Sequence, residues 1–252
     1  MKKIILLVLI SFNSFSQEHS RKLVWEENFN ENSLSENVWN YEIGDGCPNL
    51  CGWGNNERQI YTKTNHTIKD GILTIQARKE ESIYTSTRIT TKGKIEFQYG
   101  RIETRAKLSL GKGIWPAFWM LGSNISQIGW PKCGEIDILE YVGKEPNTVF
   151  TSLHTQDSHG NTINTKKTLI NDIENGFHVY AIDWTKDKID FYVDQRLVYS
   201  FNPLQKNVDT WPFNQPFYFI INVAVGGNFG GPAVDDAIFP QQFEIDYIKV
   251  FQ

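Results

Sequence analysis

Three carboxylates interrupt the apolar run Gly134-Glu135-Ile136-Asp137-Ile138-Leu139-Glu140-Tyr141. Side chains alternate between faces along a strand, so Glu135 and Asp137 share one face while Ile136 and Ile138 take the other. Strict alternation would send Glu140 into the core, where an unpartnered charge is very costly. A one-residue β-bulge near Ile138-Leu139 removes the conflict, because an inserted residue re-aims every side chain after it. Glu135, Asp137 and Glu140 then line one face, with roughly 13 Å between the Cα atoms of the two glutamates. Leaning towards each other over Asp137, their carboxyls approach the roughly 5–5.5 Å at which one attacks a sugar carbon while the other protonates the leaving oxygen. The plain alternative is three solvated acids on an edge strand. It leaves unexplained why they break an apolar strand just after an aromatic cluster.

That cluster is Trp115-Pro116-Ala117-Phe118-Trp119, about twenty residues upstream. Indoles present flat apolar faces that stack on flat ligands, sugar C–H faces included. Trp115 and Trp119 therefore read either as sugar platforms or as core residues. Further upstream, Cys51-Gly52-Trp53-Gly54-Asn55-Asn56-Glu57 is a glycine-rich loop whose polar side chains suit hydroxyl recognition; in isolation it is only a turn. Arg88 reads as a hydrogen-bonding clamp or as a surface charge. His154 falls on the next strand signal after the acidic strand, where an antiparallel neighbour places it near Glu140.

The elements that must hold these groups are strands. Alternating or continuous apolar runs occur at 23–25, 72–78, 94–99, 102–108, 117–121, 135–142, 149–154, 178–184, 188–193, 197–201, 217–225 and 243–251, with turn residues between. The pair 94–99 and 102–106, joined through Gly100, predicts a half-buried hairpin. No helical period persists, so the fold class is all-β, with two packed sheets. No repeat, linker or low-complexity segment divides the chain.

Lys2 and Lys3 precede the apolar run Ile4–Ile10 and the small residues before Gln17. Residues 1–16 thus read as a bacterial-type secretory signal peptide, too short to remain as a membrane anchor, which places the protein outside the cytoplasm, secreted or periplasmic. Residues 17–252 form one domain. The net charge is −4, and loss of Lys2 and Lys3 leaves 23 basic against 29 acidic residues, or −6. With no basic stripe, nucleic acid is not an expected partner, and without a second long apolar segment neither is a membrane. A monomer is expected. Three cysteines leave the pairing open: Cys47 and Cys51 close a small loop, or Cys133 pairs with either or stays a free thiol.

Trp-Pro-Ala-Phe-Trp, Gly-Glu-Ile-Asp-Ile-Leu-Glu and Asn222-Val223-Ala224-Val225-Gly226-Gly227 together resemble glycoside hydrolase family 16. The Gly-Trp-Gly-Asn-Asn-Glu loop resembles its laminarinase-like branch of endo-β-1,3-glucanases. The likeness runs from about residue 24 to 251. It implies a β-jelly-roll sandwich of two antiparallel sheets, concanavalin-like, with an open cleft on the concave sheet. It also implies Glu135 as nucleophile, Glu140 as general acid/base and Asp137 as the assisting carboxylate. Asn55, Arg88, Trp115, Trp119 and His154 match substrate-contact positions. The implied substrate is a laminarin-type β-glucan, with mixed β-1,3/1,4 linkages tolerated. No cofactor is needed for the chemistry, but many members carry a structural calcium, whose ligands would be the Asn28 and Gly71 carbonyls and the Asp246 carboxylate. The rival implications are a marine galactan hydrolase, a transglycosylase, and a glucan-binding lectin-like domain, which has no need of two glutamates flanking an aspartate.

Overall fold

A computed structural model describes residues 21–252; residues 1–16, where a signal peptide is expected, lie outside the described residues. Two sheets stack face to face, one of ten strands and one of eight, and their pairings are antiparallel apart from the short parallel pair Gln59–Tyr61 with Ile83–Ser86. Among the described residues the helices are single turns, at Ile125–Ile128 and Gly227–Gly230, with two short 3₁₀ segments beside them.

The two sheets earn their strands differently. Ile72–Glu80 in the ten-stranded sheet alternates, sending Leu73, Ile75 and Ala77 into the core and its other residues outward, the pattern of a sheet with one wet face. Phe217–Val225 in the eight-stranded sheet is buried along its whole length. Its inner face joins the common core through Phe217, Phe219, Ile221, Val223 and Val225, so its other face must be covered by something else. That cover is the layer of side chains described below.

The eight-stranded sheet runs in the order Thr165–Leu169, Thr148–His154, Glu135–Tyr141, Ile114–Gly122, Phe217–Val225, Arg88–Thr90, Asn40–Glu42. The acidic strand and the tryptophan strand are thus direct neighbours at its centre. The segment 94–106 is not a hairpin. Glu96–Phe97 pairs with Phe217–Val225 in the eight-stranded sheet, whereas Gly100–Lys107 pairs with His178–Trp184 and Gln241–Phe251 in the other. The chain turns this corner at Tyr99 and Gly100, with φ of 66° and 111°. At Gly100 a Cβ would meet the Phe251 carbonyl oxygen at 2.5 Å, so only glycine lets the strand cross there.

Candidate active site

The expected bulge is present. Asp137 pairs with Ser152 and Glu140 with Phe150, two intervening residues facing one. The register against the tryptophan strand shifts at the same place, between Phe118 and Trp119. Ile138 and Leu139 both point into the core, at 1% and 0% exposure. Glu140 is thereby returned to the face of Glu135 and Asp137, and an apolar strand delivers three acids to one surface.

On the tryptophan strand, Ile114, Phe118 and Met120 enter the core while Trp115, Ala117 and Trp119 share the outer face. Trp115 and Trp119 are half-buried there, between the platform and core readings. Trp115 Nε1 donates to Glu140 Oε1 at 3.0 Å. Trp119 Nε1 donates to Asn222 Oδ1 at 2.8 Å. Ala117, paired with Glu140, is the small residue that leaves room above the acid.

His154 pairs in register with Glu135, not with Glu140, because antiparallel order sets the end of one strand against the start of the other. Its Nε2 lies 3.1 Å from Asp137 Oδ2 and 3.7 Å from Glu135 Oε1. Glu135, Asp137 and His154 hold ligand-capable atoms within 4.8 Å of one another, so one imidazole faces two carboxyl groups.

These groups press on one another electrostatically. Burial, then the charge of Glu135 and a hydrogen bond to it, holds the Asp137 carboxyl well above the usual carboxylate range. Burial raises Glu140 strongly as well; Asp137 and Glu135 add to this, while His154 and the Trp115 donor oppose it. Desolvation and like charge both disfavour ionisation. The arrangement therefore favours the protonated form of Glu140, beside the more accessible Glu135 on the same strand.

Arg88 is neither a surface charge nor a free clamp. It is 8% exposed, bonded through Nε to Glu42, with its guanidinium 4.4 Å from the Trp53 ring and 5.0 Å from that of Trp119. Asn55 turns its amide inward to Glu57 Oε1 at 3.4 Å. Cys47 and Cys51 are disulfide-bonded, tying the base of the same loop. Cys133 is a free buried thiol, pushed up to about 12 by burial and by Glu135, and so chemically quiet.

Two neighbours of the acids carry no role in the sequence reading. Trp130 Nε1 donates to Glu135 Oε2 at 2.6 Å, from a ring 45% exposed that stands edge-on to His159. A lone exposed tryptophan five residues before the first glutamate was the available signal. Phe229 packs edge-on against both Trp115 and Phe150, extending the aromatic wall past Glu140.

At the proposed calcium ligands, the Asn28 carbonyl oxygen lies 3.6 Å from where a Gly71 Cβ would stand. Asp246 follows Ile245, which pairs with Leu73 two residues after Gly71. The oxygen donors suit Ca²⁺ in kind. The Asp246 carboxylate, however, accepts from Arg105 Nη1 at 2.5 Å.

A two-sheet sandwich presenting paired glutamates among indoles defines a carbohydrate-cleaving class of protein. Residues 54–249 match the family described as Glycosyl hydrolases family 16, and the chain belongs to that family. A crystal structure of laminarinase from Flavobacterium sp. UMI-01 is 73% identical and superposes with a TM-score of 0.90, covering 92% of this chain and all of that one. A beta-glucanase of Rhodothermus marinus is 38% identical over 272 residues, 98% of this chain and 93% of the relative. The non-specific endo-β-1,3(4)-glucanase SCLam, crystallised as a mutant with a glucan oligosaccharide, is 39% identical with a TM-score of 0.85, covering 93% of this chain and 95% of that one.

Proposed function

We propose that this chain is a retaining endo-β-1,3-glucanase acting on laminarin-type glucan and tolerating mixed β-1,3/1,4 linkages. The observation that carries the reading is the bulge, which sets Glu135 and a proton-holding Glu140 on one face beside indole platforms. Linkage tolerance is supported by the likeness to the non-specific endo-β-1,3(4)-glucanase SCLam.

Glu135 attacks the anomeric carbon as Glu140 gives its proton to the departing glycosidic oxygen. The glycosidic bond breaks and an ester to Glu135 forms. Water then loses a proton to the Glu140 carboxylate and attacks the same carbon, releasing Glu135 and restoring the acid. Two inversions give net retention. Asp137, kept largely neutral, shares a proton with Glu135 and spares the nucleophile a second full charge. Trp130 and His154 hold Glu135 and Asp137 in place, Trp115 and Trp119 form the glucan-binding wall, and Arg88, stacked on Trp119, supports it beside the loop that carries Asn55.

No cofactor takes part. A structural calcium at Asn28, Gly71 and Asp246 would draw Asp246 away from Arg105, so added Ca²⁺ should raise Tm and EGTA reverse it; an unchanged Tm removes the site. Residues 1–16 act as a cleaved leader that sends a single monomeric domain out of the cytoplasm, with β-glucan as its partner.

Incubation with laminarin, lichenan, agarose and carrageenan tests the substrate. We expect fast release of a ladder of oligosaccharides from laminarin, slower attack on lichenan, and none on the galactans. Glucose alone would mean exo-cleavage, and faster agarose degradation would refute the glucan assignment. Proton NMR of the first products should show the β-anomer; an initial α-signal would overturn the two-step mechanism.

A further inference from the structure

We infer that Glu57 is a positioning residue for glucan binding: its buried carboxylate sets the direction of a hydrogen-bond chain that ends on the Trp119 indole. The inference rests on the glucanase reading, which makes Trp119 a substrate platform.

Glu57 is 9% exposed at the end of the glycine-rich loop. Three donors converge on it: Asn55 Nδ2 at 3.4 Å on Oε1, and Gln59 Nε2 at 2.6 Å and the Tyr61 hydroxyl at 3.2 Å on Oε2. The Gln59 amide has no freedom to turn, since its oxygen accepts from the Val225 N–H at 2.7 Å. An ionised carboxylate, an acceptor with no proton of its own, satisfies all three.

The consequence propagates. Tyr61 has one hydroxyl proton, and Glu57 takes it. Its oxygen is left to accept, and Asn222 Nδ2 donates to it at 3.0 Å. With its amino group so placed, Asn222 turns Oδ1 towards Trp119 and accepts from the indole N–H at 2.8 Å. Tyr61 and Asn222 are 0% and 4% exposed, so water does not substitute for a lost partner. Each link has one polarity, and Glu57 fixes it.

The backbone holds the carboxylate in register with the sheet. Glu57 bridges to Gly226, and the Arg58 N–H donates to the Val225 carbonyl at 3.0 Å. A Cβ on Gly227 would press on the Asn55 carbonyl oxygen at 2.8 Å and on Glu57 Cγ at 3.3 Å, so glycine is required for the loop to seat. Arg88 is the charged group facing Glu57, and it stacks on Trp119 from the side of Trp53. One acid thus sets the edge of the indole while one cation sets its face.

Glu57→Gln keeps the shape and turns one acceptor into a donor; Tyr61→Phe breaks the next link. Each should raise KM for laminarin about tenfold, the scale of one hydrogen bond, with kcat within about threefold. The double variant should be no worse than the weaker-binding single. The Trp119 indole N–H resonance, assigned by its loss in Trp119→Phe, should move upfield and exchange faster in both variants. An unshifted resonance, an unchanged KM in protein that still unfolds cooperatively, or KM increases that multiply in the double variant overturns the inference. Because the resonance is read without substrate, failure of wild type on laminarin would strike the function reading alone. If Glu57→Gln does not fold, Tyr61→Phe decides.

Discussion

Glu140 and Glu57 are buried almost equally, at 8% and 9% exposure, and burial raises the pKa of both. Their company is opposite. Glu57 receives three side-chain donors and faces Arg88, all of which favour its charge. Glu140 receives one, from Trp115, and although His154 also favours its charge, it faces Asp137 and Glu135, which oppose it. Burial alone therefore does not mark a catalytic acid. A buried carboxylate whose neighbours compensate it organises structure; one whose neighbours repel it is held in readiness to give up a proton.

Removing the acids should break this comparison most sharply. Glu135→Gln and Glu140→Gln should each lose about 10²-fold or more in glucan turnover, the scale of a lost general acid. With an activated aryl glycoside and azide, the Glu140 variant should recover through a β-azide product, because a good leaving group needs no proton. Near-wild-type turnover in either would dissolve the distinction between the two sites. Next in size, Trp119→Ala should weaken glucan binding by about 1–3 kcal/mol, if sugar stacking matches base stacking. If affinity stays normal and only Tm falls, the indole belongs to the core. Trp115→Phe keeps a ring and deletes the donor that stabilises ionised Glu140, so the alkaline limb of kcat should move to higher pH; a shift to lower pH would show that the Trp115 bond stabilises the neutral acid instead.

The smallest effect is on stability. A free glutamate ionises near pH ~4.3, while folded Glu140 holds its proton well above that. Between the two values unfolding releases a proton, so the stability from this group is complete at low pH and is lost as pH rises through the folded value. Glu140→Gln escapes the loss. It should exceed wild type in Tm at pH 7, at roughly 2–4 °C per kcal/mol for a domain of this size, with the advantage fading near pH 4. A Tm below wild type at pH 7 would show that Glu140 is compensated as Glu57 is.

The bulge was legible because burying Glu140 was physically intolerable and Ile138-Leu139 offered an adjacent apolar pair to absorb it. The flanking tryptophans were legible as residues, though only the structure divides their outer face from the core face of Phe118. Glu57 was hidden. Its partners lie at 59 and 61 on a three-residue strand that inverts the usual pattern, with Gln59 and Tyr61 buried and Ile60 41% exposed. Such a strand is set by its partner Ile83–Ser86 and by the side-chain bonds of Gln59 and Tyr61 to Val225 and Asn222, not by local propensity. The strands Asn40–Glu42, Gln59–Tyr61, His66–Lys69 and Arg88–Thr90 escaped for the same reason, being too short to show a period. His154 was placed on the right strand but against the wrong acid, since register comes from the turn between strands.

The strand Gln241–Phe251 lies inside the ten-stranded sheet, between Gly100–Lys107 and Ile72–Glu80, and it also carries Leu23–Glu27 along its later residues. Until it arrives, that sheet is two multi-stranded pieces with open edges, and Leu23–Glu27 has no strand to pair with. A chain synthesised from its N-terminus therefore cannot complete this sheet until residues 241–251 have been made, and until then the edges of its pieces stay open. Truncation ahead of Gln241–Phe251 should yield aggregate rather than a weakened protein, even though Glu135, Asp137 and Glu140 are all present.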